Sequence, residues 1–426
     1  LDAAAVVLGG LVSTVGVYKP LRLIDTEGSR IWSTTTLQAL FEPIGPGEAL
    51  DLNPTFGPVD VDAVTVLLSH GGFIEVPVVN ADDAQAPKLD VGSIVSNAKL
   101  QDTLRDPVSI ERYSVALDGS SSGLTDGDET SVDVSSDVTF ATDSAELSAQ
   151  ADDALKGVAE TIGGYSGGSL TITGHTDDVA DDAHNQKLSE NRAGAVKDRL
   201  GQLADLAKWK VSTTGKGESE PAVDDTTDEA RAANRRVVIT ITPTGGAASS
   251  TAPSATPSFA PSAAPSSSAP GGTALPEPQG QVGAGPDGVT AVYPSIGSFD
   301  SSEQVTITLP QVVRAGGLLF GRLSVTVGPR GADDNSVLSD WFDDDEFLLS
   351  NARGEDGSLV ATIGAVNGLT LLAGGERVFP ADYLDGDRQV HLPLSECNLF
   401  KSLKEGAVTT VCAVWPDTGQ ETVTLD

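Results

Sequence analysis

Between residues 131 and 242 the spacing of apolar positions switches from two to about 3.6 and back. Val132, Val134 and Val138 to Phe140 predict an opening strand. Leu147, Ala151, Leu155, Val158 and Ile162 recur at helical spacing, and Gly163-Gly164 ends that helix. Leu170 and Ile172 alternate with Thr171 and Thr173 in a second strand that stops at Gly174-His175-Thr176-Asp177. A second helix over Asn185 to Leu200, capped by Asp181 or Asp182, and strands at Val211 to Thr213 and Arg236 to Ile241 complete the pattern. The order β-α-β-α-β-β describes a compact α+β domain. On both sides the period is two. Val64 to Leu68 and Phe73 to Val79 read as strands on the N-terminal side; Val305, Ile307 and Leu309, then Leu323, Val325 and Val327, Val408 to Val414 and Glu421 to Leu425 do so on the C-terminal side. The expected fold is therefore multidomain, with a central α+β unit flanked by N- and C-terminal β-sandwich-like domains.

Breaks in this pattern set the boundaries. Residues 1–85 form the first β-rich domain, 86–130 a polar connector rich in glycine near its end, 131–242 the central domain, 243–290 a linker and 291–426 the last β domain. The linker is almost pure Ala, Pro, Ser, Thr and Gly, which cannot bury enough apolar surface to fold and reads as a semi-stiff spacer. Ala3 to Val17 is the nearest approach to a membrane segment, but Gly9, Gly10, Ser13, Thr14 and Gly16 interrupt it, and buried strand is the simpler reading. No methionine occurs, so the sequence reads as a processed or trimmed product, with an export signal conceivable upstream.

Helical geometry makes the second helix of the central domain informative. At about 100° per residue, Asn185, Leu188, Arg192 and Val196 share one stripe, while Lys187, Glu190, Lys197 and Asp198 lie opposite. Arg192 thus sits among core-facing residues, where a guanidinium is costly unless it meets an anion. Asp177, at the end of the preceding strand, is near the start of this helix. Two readings stand: Asp177 and Arg192 pair with each other and brace the corner, or they stay apart and bind a zwitterion, carboxylate to ammonium and guanidinium to carboxylate.

The residues Gly174-His175-Thr176-Asp177, Asn185, Leu188-Ser189, Arg192-Ala193 and Asn234-Arg235-Arg236-Val237, with Phe140 followed by Asp143-Ser144-Ala145-Glu146-Leu147, resemble the C-terminal domain shared by OmpA, the peptidoglycan-associated lipoprotein and MotB. The resemblance covers about a quarter of the chain. It implies non-covalent binding of peptidoglycan through the diaminopimelate of its stem peptide. Asp177 then receives the ammonium and Arg192 the carboxylate of that residue's free head group, Asn185 and Arg235 give supporting contacts, and Phe140 walls the pocket. This sequence departs from the family at Ala180, usually glycine, at Ala141, often acidic, and at Val238, usually glutamate.

Charge and composition narrow the function further. With 61 acidic and 26 basic side chains the net charge is −35, which argues against sequence-independent nucleic-acid binding and disfavours electrostatic docking on anionic membranes. An anionic wall polymer must therefore be gripped in a local pocket. Two cysteines and four histidines leave little room for zinc clusters or iron–sulfur centres, and no metal or cofactor is expected. In an exported protein Cys397 and Cys412 read as a disulfide worth about 3 kcal/mol, with two buried thiols as the alternative. Gly164-Tyr165-Ser166-Gly167-Gly168 matches a nucleophile-elbow pattern but follows a helix and precedes a strand, the reverse of an elbow. The acidic run Asp343 to Glu346 lacks the spacing of a calcium loop. The sequence is thus read as a non-catalytic, cell-wall-associated envelope protein that tethers its β domains to peptidoglycan. The alternatives are an adhesin whose β domains bind a surface protein, and a wall hydrolase with its catalytic machinery in a β region.

Overall fold

The computed structural model describes residues 21–33, 56–68, 72–80, 105–244, 283–285, 288–294, 304–309, 312–328, 353, 368–385, 390–396, 405–420 and 423–426. Ala3 to Val17, the acidic run, Cys397 and most of the linker lie outside them.

The central domain runs β1 (Glu129–Ser135), α1 (Ser136–Thr139), α2 (Ala151–Gly163), β2 (Gly168–Gly174), α3 (Asp182–Leu203), β3 (Trp209–Gly215), α4 (Asp228–Asn234) and β4 (Arg236–Pro243). In the sheet β2 pairs in parallel with β3, and β4 lies antiparallel between β2 and β1. The strands alternate as the sequence pattern requires. Val132, Val134, Leu170, Ile172, Val237, Ile239 and Ile241 point to one face and pack on Leu155, Val158 and Ile162 of α2 and Ala193, Val196 and Leu200 of α3. Elsewhere on the sheet, threonine and serine pair across strands, as Thr171 Oγ1 does with Ser212 Oγ at 3.2 Å. Helix α3 lies close against the ends of β2 and β3, and the glycines there permit it: a Cβ on Gly174 would collide with the Ser189 carbonyl, and one on Gly215 would lie 2.5 Å from the Glu190 amide nitrogen. This approach places the helix start beside the loop that carries Asp177.

Two short helices modify the expected β-α-β-α-β-β order. Helix α4 is seven residues long, too short to show a period; Thr227 caps it by accepting from the Ala230 amide at 3.2 Å, with Asp228 and Glu229 in its first turn. Residues Val138 and Thr139, expected in the opening strand, belong to α1, and Phe140 follows as a single bridge to Leu147.

The flanks are β-rich. Residues 105–126, within the expected connector, carry strands Val108–Ser109, Glu111–Ala116 and Ser121–Asp126, and the last pairs with β1. The central sheet therefore continues through Ser121–Asp126 and Glu111–Ala116 into Glu376–Val378, Leu371–Ala373 and Thr424–Leu425. A five-stranded sheet holds the strands of residues 21–77 with Val108–Ser109, and a seven-stranded sheet begins at Gly283–Gly285, inside the expected linker. One buried cluster joins Ile24, Ile31 and Leu67 to Leu318, Phe320, Tyr383 and Val414, so the N- and C-terminal regions share a core.

The expected Cys397–Cys412 disulfide is not formed in this structure: Cys412 is a free, buried thiol, and burial pushes its pKa up to about 11. Glu396, which precedes Cys397 in sequence, is the residue that pairs with Cys412 across the strands.

Candidate functional site

The site forms where three loops meet at one end of the central sheet. Helix α3 begins with Asp181 as its cap, the side chain accepting from the His184 amide at 3.0 Å. One turn in, Asn185 is buried and its Nδ2 donates to the Asp177 carbonyl at 3.0 Å, the Ala180 carbonyl at 3.3 Å and Glu218 Oε2 at 2.6 Å. Asn185 therefore braces the loop of residues 177–180 rather than facing outward.

Asp177 and Arg192 are not ion-paired with each other; each has another partner. Asp177 Oδ2 accepts from Arg235 Nη1 at 2.8 Å, and Oδ1 has a long 3.4 Å contact from the Val179 amide. Arg235 is fully engaged: Nε and Nη2 form a two-pronged bond with Asp137 at 2.7 and 2.6 Å. These bonds hold the Arg235 guanidinium protonated well beyond its already high range, the Asp137 hydrogen bonds contributing most.

Arg192 is 4% exposed and lies with its guanidinium carbon 5.2 Å from the centre of the Phe140 ring. Its Nε donates to the Ser144 carbonyl at 3.0 Å. Nη1 and Nη2 meet no hydrogen-bond acceptor among the described residues. Burial lowers its pKa, while Asp137, Asp143 and Asp177 oppose that shift. A buried guanidinium held by a ring and one carbonyl, with both terminal NH2 groups unclaimed among the described residues, is oriented to receive a planar anion.

The structure thus brings Asp177, Asn185 and Arg235 together in one hydrogen-bonded group and joins Arg192 to Phe140. Sequence reasoning gave no site role to Asp137, Asp143 or His184. His184 Nε2 lies 2.6 Å from Asp143 Oδ1, and Asp143 adopts a left-handed φ of 52° one residue before Ser144, whose carbonyl accepts from Arg192. The signal for Asp137 was present in Ser135-Ser136-Asp137, a helix-start pattern overridden by the apolar residues after it. His175, inside the matched motif, is buried; burial, then the Arg236 charge, drops its pKa to about 4. Ser166 is exposed in the turn between α2 and β2. Among the described residues no group of three or more His, Cys, Asp or Glu is placed to hold a metal, and no helix is long and apolar enough to cross a membrane.

Residues 139–235 match the OmpA family. Over 106 residues, 25% of this chain and 30% of the relative, the sequence is 42% identical to outer membrane porin F of Pseudomonas aeruginosa. Over 151 residues, 35% of this chain and 62% of the relative, it is 32% identical to the probable lipoprotein YiaD of Escherichia coli. Among solved structures, the cell wall anchor of the T6SS from Pseudomonas aeruginosa is 29% identical, covering 29% of this chain and 89% of that chain with a TM-score of 0.27. The chain spans less than a third of the porin and less than two thirds of the lipoprotein.

Proposed function

From the premise that residues 139–235 are an OmpA family domain, we propose that this domain binds peptidoglycan non-covalently in the cell envelope by clasping the free head group of a stem-peptide diaminopimelate. That residue's side chain ends in an ammonium and a carboxylate on one carbon. The ammonium docks at Asp177, and the carboxylate accepts from Nη1 and Nη2 of Arg192 in the two-pronged geometry a guanidinium favours. Phe140 supports the guanidinium from one face, Asn185 fixes the loop that carries Asp177, and Arg235 orients the Asp177 carboxylate. The role is binding without catalysis, and it tethers the flanking β-rich regions to the wall.

The observation that carries this reading is the state of Arg192: buried, stacked on Phe140, bonded through Nε alone, with both terminal nitrogens unclaimed beside a separately held carboxylate. A buried guanidinium of this kind is tolerated where an anion completes it. An envelope location agrees with the relatives, an outer membrane porin and a lipoprotein. Co-sedimentation of the full chain with purified diaminopimelate-type sacculi tests the site. Wild type is retained, and Asp177→Ala and Arg192→Ala each lose at least about 1.4 kcal/mol, or tenfold in affinity. Equal retention of all three refutes the assignment.

A further inference from the structure

Arg235 stands at the centre of a carboxylate–guanidinium–carboxylate chain. Asp137, on the one-turn helix α1, takes its Nε and Nη2, and Asp177 takes its Nη1. The two ends differ. Asp137 uses both oxygens and is nearly half exposed, whereas Asp177 uses one oxygen and is 17% exposed. Two carboxylates share one guanidinium, so the group carries a formal charge of −1. The excess can act at Asp177, where Oδ1 has only the long Val179 contact.

Removal of Asp137 frees the fork of Arg235. A planar guanidinium with an unclaimed pair of donors turns toward the nearest carboxylate, and Asp177 is already 2.8 Å away. A two-pronged Arg235–Asp177 pair would be neutral and would occupy both oxygens that an ammonium needs. We propose that Asp137 is the positioning residue of the ammonium subsite: it draws Arg235 aside, so that Asp177 stays correctly oriented, net anionic and open at Oδ1. Arg235 is then a brace for Asp177 and makes no contact with the ligand. This takes the peptidoglycan reading as given and adds a residue outside the motifs that mark the family.

The test uses the full chain and diaminopimelate-type sacculi, with wild type, D137N, R235Q and the double variant D137N/R235Q compared by retained fraction over a range of protein concentration. Circular dichroism melting of each variant establishes that it is folded. The single change D137N weakens retention at least about tenfold, because the freed Arg235 neutralises Asp177. R235Q loses only the brace at Asp177 Oδ2 and weakens retention by about threefold. In the double variant no guanidinium is left to neutralise Asp177, and retention recovers from the D137N level to that of R235Q. A merely structural Asp137 cannot produce that rescue by a second loss. Retention of D137N at the wild-type level, R235Q binding more weakly than D137N, or a folded double variant that fails to recover to the R235Q level each overturns the proposal while leaving the wall-binding reading in place. Failure of wild type itself to sediment overturns both.

Discussion

The central domain takes its core from one continuous span, residues 132–241. The flanking body is built differently. Ile24, Leu67 and Ile110 share a core with Phe320, Tyr383 and Val414, and Arg22 donates to the Tyr383 hydroxyl at 3.4 Å across 361 positions. Phe73 meets Phe320 edge to face with ring centres 5.2 Å apart. A buried ionic group ties Glu111 to Arg353 and His391, and Arg353 to Asp382. Local contacts close early and at low entropic cost; contacts between distant segments require the intervening chain to be gathered first. The central domain is thus specified within one continuous span of the chain, and the body around it depends on both ends at once.

The largest expected effect comes from breaking the shared core. Phe320→Ala removes a ring that packs on Phe73 and costs about 3–5 kcal/mol. Because that core is joint, amide exchange should accelerate in Leu21–Asp25 and Ala63–Leu68 as well as in Leu318–Val327, while β2 and sacculus retention stay unchanged. Faster exchange confined to the C-terminal strands would contradict a joint body.

Acidity separates the two regions next. His175 has its pKa lowered from 6.5 to about 4, so below pH 6.5 the unfolded state binds the proton first and the central domain loses stability as pH falls toward 4. Glu376 has its pKa raised by burial from 4.5 to about 8; its folded form keeps the proton, so the flanking body loses stability as pH rises from 4.5 through 8. Since every tenfold change in proton affinity is worth about 1.4 kcal/mol, the contributions are on the order of 3 kcal/mol for His175 and about 5 kcal/mol for Glu376 across their windows. Melting curves of H175Q and E376Q against wild type between pH 4 and 8 check the signs. H175Q should flatten the acid side and E376Q the alkaline side; the same slope change in both would remove the distinction.

What was legible in the sequence follows the same division. The stripe of α3 was readable because Asn185, Arg192 and Val196 are buried while Lys187, Glu190, Lys197 and Asp198 are exposed, as a single amphipathic period demands. The Asp181 cap and the alternation of β2 and β4 are equally local signals. The helix start at Asp137 left a local signal, but its role did not, because its partner Arg235 lies 98 positions away. Helix α4 was too short to display a period. In the flanks alternation located strands but not their partners: nothing local in Phe320 points to Phe73, and nothing in the spacing of the two cysteines reveals that Glu396 is the residue opposite Cys412. Patterns fix which face of an element is buried; they do not say what covers it.

The most direct test of the bipolar clasp compares the retention of the full chain on diaminopimelate-type and lysine-type sacculi of matched cross-linking. Lysine keeps the side-chain ammonium and lacks the carboxylate on the same carbon, so it offers Asp177 its ligand and leaves Arg192 Nη1 and Nη2 without one. Binding to the lysine-type wall should be weaker by at least about 1.4 kcal/mol, a factor of ten, and insensitive to Arg192→Ala. Equal affinity for the two walls, with Arg192→Ala reducing both alike, would contradict the assignment of Arg192 to the ligand's carboxylate.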